Sequence, residues 1–269
     1  AYIHQSYVNK MPSAREVSME GSKILDAYLD KDGEAAVFSH PFFRLNMVAS
    51  RCRWPLSIEK RPAQMCAMLG AASINALHRN ALGIAVSRTL FYDHRDTPPP
   101  MNADAFSTAR VALDASNIRS ATLASGSIPV VMEGVRDIPG AKPGMYRDGG
   151  LCDYHMDLPL KADRIILFPH YVDRLVPGWF DKHLFWRHSS AAYLDWVVLL
   201  CPSHSFIRGL YYKKIPDRDD FKQLENNDRI DFWNNTVEQS ARLGEEFLEN
   251  IEKDGLRQKV RPLSSLPNF

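Results

Sequence analysis

The chain lacks the features that announce most specialised classes. No apolar run is long enough to cross a bilayer: the longest strongly apolar stretch, Trp196-Val197-Val198-Leu199-Leu200-Cys201, falls far short of the roughly 20 residues a spanning helix needs. Charge of one sign is not in excess. The formal net charge is +1, which leaves no global field to steer the protein to nucleic acid or to an anionic surface. The basic clusters Arg51-Cys52-Arg53 and Lys213-Lys214 are short and read as solvated surface, and aromatics do not interleave with them, so no nucleic-acid partner is expected. Cysteine is scarce. Cys52, Cys66, Cys152 and Cys201 form no Cys-x-x-Cys, which argues against a disulfide framework or zinc site and favours buried thiols in a reducing, cytoplasmic setting. His183 and His188 miss the i, i+4 spacing that puts two ligands on one helix face, so neither a metal nor a cofactor is expected. Internal repeats and low-complexity tracts are absent.

What is present is a chain of 269 residues, 45% apolar, able to bury a sizeable core. Ser13 with Glu16 has capping-box spacing and predicts a helix over 13–29, which Asp30-Lys31-Asp32-Gly33 ends. Strands are predicted over 42–52, 84–93, 164–170 and 197–201, the last two as buried apolar runs. Helices are predicted over 57–78, 116–125 and, most clearly, 228–250, where Ile230, Trp233, Val237, Ala241 and Leu248 recur at helical spacing. Asp96 to Pro100 reads as a stiff surface loop, since proline fixes φ and cannot extend a helix. The aromatic stretch from Trp179 to Trp196 reads as core packed on a sheet, or else as an acyl-chain pocket or interfacial patch. Strands alternating with helices predict a single α/β domain over 1–269 with a largely parallel sheet, and 261–269 reads as an irregular tail.

Two segments carry the chemistry. One is Tyr146-Arg147-Asp148-Gly149-Gly150-Leu151, where an Asp ends a short apolar approach and two glycines follow. Glycines there let the chain turn sharply and reach positive φ, freeing the Asp to face a cleft. Asp148 also reads as a plain turn cap, and Gly149-Gly150 as an ordinary hairpin turn. The other segment is Ala124-Ser125-Gly126-Ser127-Ile128-Pro129, which ends a helix. Ser125 and Ser127 are poor nucleophile candidates there, because an elbow serine sits between strand and helix. His155 follows the Asp turn closely enough to line a cleft, and Ser125 and Ser127, ahead of the turn in sequence, are the other cleft-lining candidates. Asp153 and Asp157 read as solvated or capping loop residues.

In order and separation these two segments resemble the second half of a patatin-like phospholipase, most strongly from Ala124 to Leu160. The resemblance implies a three-layer α/β sandwich and a serine acyl hydrolase. Asp148 would partner the serine directly in a Ser-Asp dyad, with Gly149 and Gly150 as the supporting turn. The implied partner is a phospholipid or other fatty-acyl ester, met by transient contact with a membrane surface. The family's serine lies in a Gly-x-Ser-x-Gly elbow, yet none of the 14 glycines here is followed two positions later by Ser. The family's glycine-rich oxyanion loop is missing too. The resemblance therefore implies a C-terminal portion, with the first strand, oxyanion loop and elbow lying before Ala1, and a chain that is inactive alone. The alternative is a patatin-like scaffold without catalysis, acting as a lipid-binding or protein-interaction module.

Overall fold

The computed structural model describes residues 2–5, 7, 12–101, 104–155, 157–159, 165–189 and 194–265. The sequence reads as one domain; the chain packs as two compact units. The larger comprises Ser13–Leu160 and Leu175–Tyr193, and the smaller comprises Ala1–Pro12, Lys161–Arg174 and Leu194–Phe269.

The larger unit is mixed α/β. Helix α1 (Ala14–Tyr28) opens with the predicted capping box: Ser13 Oγ accepts from the Glu16 amide while the Glu16 carboxylate accepts from the Ser13 amide. The predicted stop at Asp30 is also a start. Its side chain accepts from the Gly33 amide at 2.8 Å and caps α2 (Lys31–Ser39), a helix hidden in the sequence because its acidic first turn resembles a loop. Strand β1 (Asn46–Cys52) is followed by α3 (Arg61–Leu77), β2 (Val86–Tyr92), β3 (Thr108–Ala112), α4 (Ile118–Ser125), β4 (Val135–Arg136) and β5 (Met145–Asp148).

These strands form one sheet in the order β3-β2-β1-β5-β4. The largely parallel sheet expected is not what is seen: only β2 and β3 run parallel, while β1–β2, β1–β5 and β4–β5 are antiparallel. The reason lies in the connections. The linkers either side of α3 return the chain to the end of the sheet where β1 finished, and the Arg53 amide bonds the Ala85 carbonyl there. No net crossover is made, and a parallel pair requires one.

Alternating side chains send β residues to two cores. Ala49, Phe91 and Tyr146 pack with Ile118, Ala121 and Ala124 of α4 on one face, joined by Leu25, Val37 and Phe38 of α1 and α2. On the other face Cys52 and Val86 pack with Met68 and Ala71 of α3 and with Leu151 and Cys152. Past the end of β2, Asp93 is buried and accepts from the Arg95 guanidinium Nε at 2.9 and 3.1 Å. Those bonds hold its carboxyl down at about 2, below the ordinary 3.8. A depressed carboxyl stabilises the fold fully above its unfolded value, and that contribution is lost as pH falls through the folded one. The stability gap between wild type and Asp93→Asn should therefore shrink as pH falls from about 4 toward about 2, read from urea midpoints across that window.

In the smaller unit, β6 (Ile166–Pro169) pairs in parallel with β7 (Val197–Leu200). Both strands are half-exposed where buried runs were expected. Helices α5 (His204–Gly209), α6 (Asp220–Gln223), α7 (Asn226–Glu252) and α8 (Leu256–Lys259) follow. Arg229 of α7 is buried, donates to the Ile3 and Gln5 carbonyls and lies 4.0 Å over the Phe221 ring. Of the expected tail, a short 3-10 turn covers Leu263–Ser265, and 266–269 lie outside the described residues, as do Arg164 and residues 190–193. Among the described residues no helix is long and apolar enough to cross a membrane.

Candidate active site

The two singled-out segments meet in space. β5 delivers Asp148 opposite Ala49 of β1, and the Asp148 amide donates to the Ser127 carbonyl at 3.0 Å. The end of α4 thus sets the height of the turn. Asp148 is half-buried, and its Oδ1 accepts from the Gly150 amide at 2.7 Å, which orients the carboxylate.

The glycines are needed for a different reason than expected. Positive φ occurs at Gly140 and Gly144, not at Gly149 or Gly150. The constraint is steric: a Cβ at Gly149 would stand 2.2 Å from the Val48 carbonyl oxygen, and one at Gly150 would stand 2.9 Å from Asp148 Oδ1. Only a residue without a side chain lets the turn close on β1.

The chain leaving the turn is held by buried charge. Arg88 is fully buried in β2 and forks onto Asp153, Nε to Oδ2 at 2.5 Å and Nη2 to Oδ1 at 2.8 Å, while its second edge reaches Asp104 at 2.8 Å. Burial alone would lower the Arg88 pKa, but hydrogen bonds to both carboxylates raise it above its ordinary value. Burial raises the Asp153 carboxyl and the guanidinium pulls it only part of the way back, leaving it above its ordinary value. Because arginine does not lose its proton, the pair is ionic. A second cluster lies beside it. Arg79 donates to the Cys152 carbonyl at 2.5 Å and to Asp181 at 2.8 Å, and Asp181 also accepts from Asn75 at 2.6 Å.

Several sequence readings change here. Asp153 and Asp157 are buried, not solvated: Asp153 pairs with Arg88, and Asp157 accepts from the Ser189 hydroxyl. His155 is buried too. Its Nδ1 accepts from the Val176 amide at 3.0 Å, which puts the ring proton of the neutral imidazole on Nε2, and the ring stacks on Tyr154. Ser127 is buried with its hydroxyl donated to the Leu123 carbonyl at 2.7 Å, so it closes the α4 terminus, and Ser125 is half-buried in the last turn of α4. Trp179 and Phe180 pack on the α3-side core, whereas Phe185 and Trp186 are exposed. Arg88, Arg79, Asn75 and Asp181 went unnoticed in the sequence. The available signal was a charged residue at the centre of an apolar strand and polar residues on the apolar face of a helix.

Cys52 and Cys152 lie beneath the turn, their thiols pushed up to about 12 by burial. Cys66 is exposed on α3, and all four cysteines are free. Reaction depends on thiolate and access. Cys66 should therefore react first with a disulfide reagent in the native protein, with Cys52 and Cys152 silent until denaturant is added, as counted by mass. Early loss of either buried thiol would contradict this packing.

Among the described residues no group of three His, Cys, Asp or Glu side chains is arranged to hold a metal ion. A cavity of about 650 Å³ lies in the smaller unit, lined by Ser203, Phe206, Gln239, Arg242 and Glu246, and is not the site of Asp148. Compared with protein-family models, curated proteins and solved structures, the chain has no significant match.

Proposed function

We propose that this chain is the C-terminal portion of a patatin-type serine acyl hydrolase acting on phospholipid or another fatty-acyl ester. Asp148 serves as the acid–base partner of a serine upstream of Ala1. The observation that carries the reading is the hydrogen bond from the Asp148 amide to the Ser127 carbonyl. The two segments that suggested the family are joined there, with a half-buried carboxylate at a strand end. In the proposed chemistry the serine hydroxyl attacks the ester carbonyl and its proton passes to Asp148. The alcohol leaves with a proton, and water then cleaves the acyl-enzyme. The patatin-type three-layer sandwich, its sheet completed by upstream strands, belongs to the same proposal, as does a cytoplasmic setting.

A second reading, an inactive scaffold, draws on the bond from the Gly150 amide to Asp148 Oδ1, which gives the carboxylate a local structural task. Treating the full-length gene product with a fluorophosphonate and mapping the adduct by mass separates the two. Labelling of one upstream serine is expected, and no labelling of the folded protein would leave the scaffold.

A further inference from the structure

Between α2 and β1 the chain makes a tight turn, His40-Pro41-Phe42-Phe43-Arg44, that pushes two phenylalanines into solvent. Phe42 is 84% exposed and Phe43 is 76% exposed. Several of the turn's backbone groups are paired locally, while Arg44 Nε is buried without a hydrogen-bond partner. His40 Nδ1 accepts from the Phe42 amide at 3.2 Å and from the Phe43 amide at 2.9 Å. Arg44 Nη1 donates to the His40 and Phe43 carbonyls, both at 3.0 Å, and lies 3.4 Å from that of Pro41. Arg95 anchors the base, donating to the carbonyls of His40 and Val37 at 3.0 Å.

We propose that this turn is a lipid-interface wedge, with Phe42 and Phe43 entering the boundary between headgroups and acyl chains. Three observations favour lipid. Backbone that leaves water needs its N–H and C=O groups paired internally, and those bonds supply such pairing for the Phe42 and Phe43 amides and the His40 and Phe43 carbonyls. Apolar rings carried outward beside cationic Arg44 have the composition of an interfacial anchor, whereas the charge of Arg95 is taken up by Asp93. The area is also wrong for a protein partner: two rings offer roughly 300–500 Å², well under the roughly 1,000 Å² of a specific protein interface.

Position adds a reason. The Asp148 turn closes on Val48, near the start of β1, and Phe43 precedes Asn46 at that same end, at most about 20 Å along the strand from Ala49. Trp54 is equally exposed but follows Cys52 at the far end of β1. The need for such a wedge rests on the acyl-hydrolase reading, since an enzyme of that kind must bring its carboxylate to a lipid surface.

The test is flotation of the full-length gene product with phosphatidylcholine vesicles, with and without phosphatidylglycerol. Binding of the wild type is expected, and the Phe42→Ser/Phe43→Ser variant should partition roughly thirtyfold less, the loss of about half the full burial term of each ring. Its fluorophosphonate labelling in lipid-free buffer should not change. A Phe43→Trp variant, which keeps the turn intact, should show a blue shift in emission when vesicles are added. Wild type that stays off vesicles, equal partitioning of the double variant, or no blue shift overturns the proposal. A monomer–dimer change in the double variant with unchanged vesicle binding overturns it too and assigns the patch to a protein contact. Reduced vesicle binding without any labelling of wild type would retain the wedge and remove the hydrolase.

Discussion

Asp148→Asn in the full-length gene product should lower the rate of fluorophosphonate labelling by at least about a hundredfold, the lower bound for losing a positioned general base. The substitution is close to isosteric. Its amide oxygen can still accept from the Gly150 amide, the bond that shapes the turn at 2.7 Å. The bond from residue 148 to the Ser127 carbonyl uses backbone only and is untouched. Turn and fold should therefore survive, with a thermal midpoint close to wild type, while proton acceptance is lost. Asp148→Ala removes cap and base together and should lower both labelling and stability. If Asp148→Asn labels at the wild-type rate, the carboxylate is only a turn cap and the dyad is wrong. Comparing the two variants separates these roles, which one substitution alone would confuse.

Arg88→Met should be the most damaging single change to stability in the larger unit, costing about 3–5 kcal/mol by urea denaturation, the range for stripping one partner from a buried pair. Asp153, buried in its own right, would lose the fork that solvates it. Asp104 is less affected because its side chain remains partly exposed. Deprived of the guanidinium, Asp153 should hold its proton to higher pH than in the unfolded chain. The native state then binds more protons than the unfolded one, so the variant's stability must fall as pH rises above about 4, more steeply than that of wild type, where the guanidinium offsets part of the rise. Replacing both partners, Arg88→Met with Asp153→Leu, should recover part of the loss, because a well-packed apolar pair avoids the desolvation of two ions. If the double variant is no better than the single one, the damage is to packing rather than charge.

Legibility in the sequence followed the range of the interaction involved. Helix α1 was readable to its cap because a capping box is local. Strand β2 was readable from its β-branched and aromatic composition, and helix α7 from the helical spacing of its apolar residues, although burial falls on Arg229, Phe232 and Thr236 instead. Helix α2 was missed where one acidic cluster both ends a helix and starts the next. Strand direction was misread because helix–strand alternation records the order of elements and not where a linker returns the chain. Within the site, the Asp148 turn was legible and its support was not. Arg88 meets Asp153 across 65 positions and Asn75 meets Asp181 across 106, separations at which no sequence window holds both partners. The requirement at Gly149 is likewise set by Val48, a residue on another strand.

The larger unit is discontinuous: its chain departs after Leu160 and resumes at Leu175. The returning stretch contributes Asp181 to Arg79 and Asn75, and its Val176 and Pro177 carbonyls accept from the His155 and Tyr154 amides. A polypeptide truncated after Leu160 would still contain Asp148 and both glycines. It would nonetheless leave the Arg79 guanidinium without its carboxylate and the stretch after the turn without its backbone partners. The motif can be cut out of the sequence as a short word, but its shape depends on residues that ribosomal synthesis supplies only later. During synthesis the turn therefore stays unfinished until the chain has come back to it.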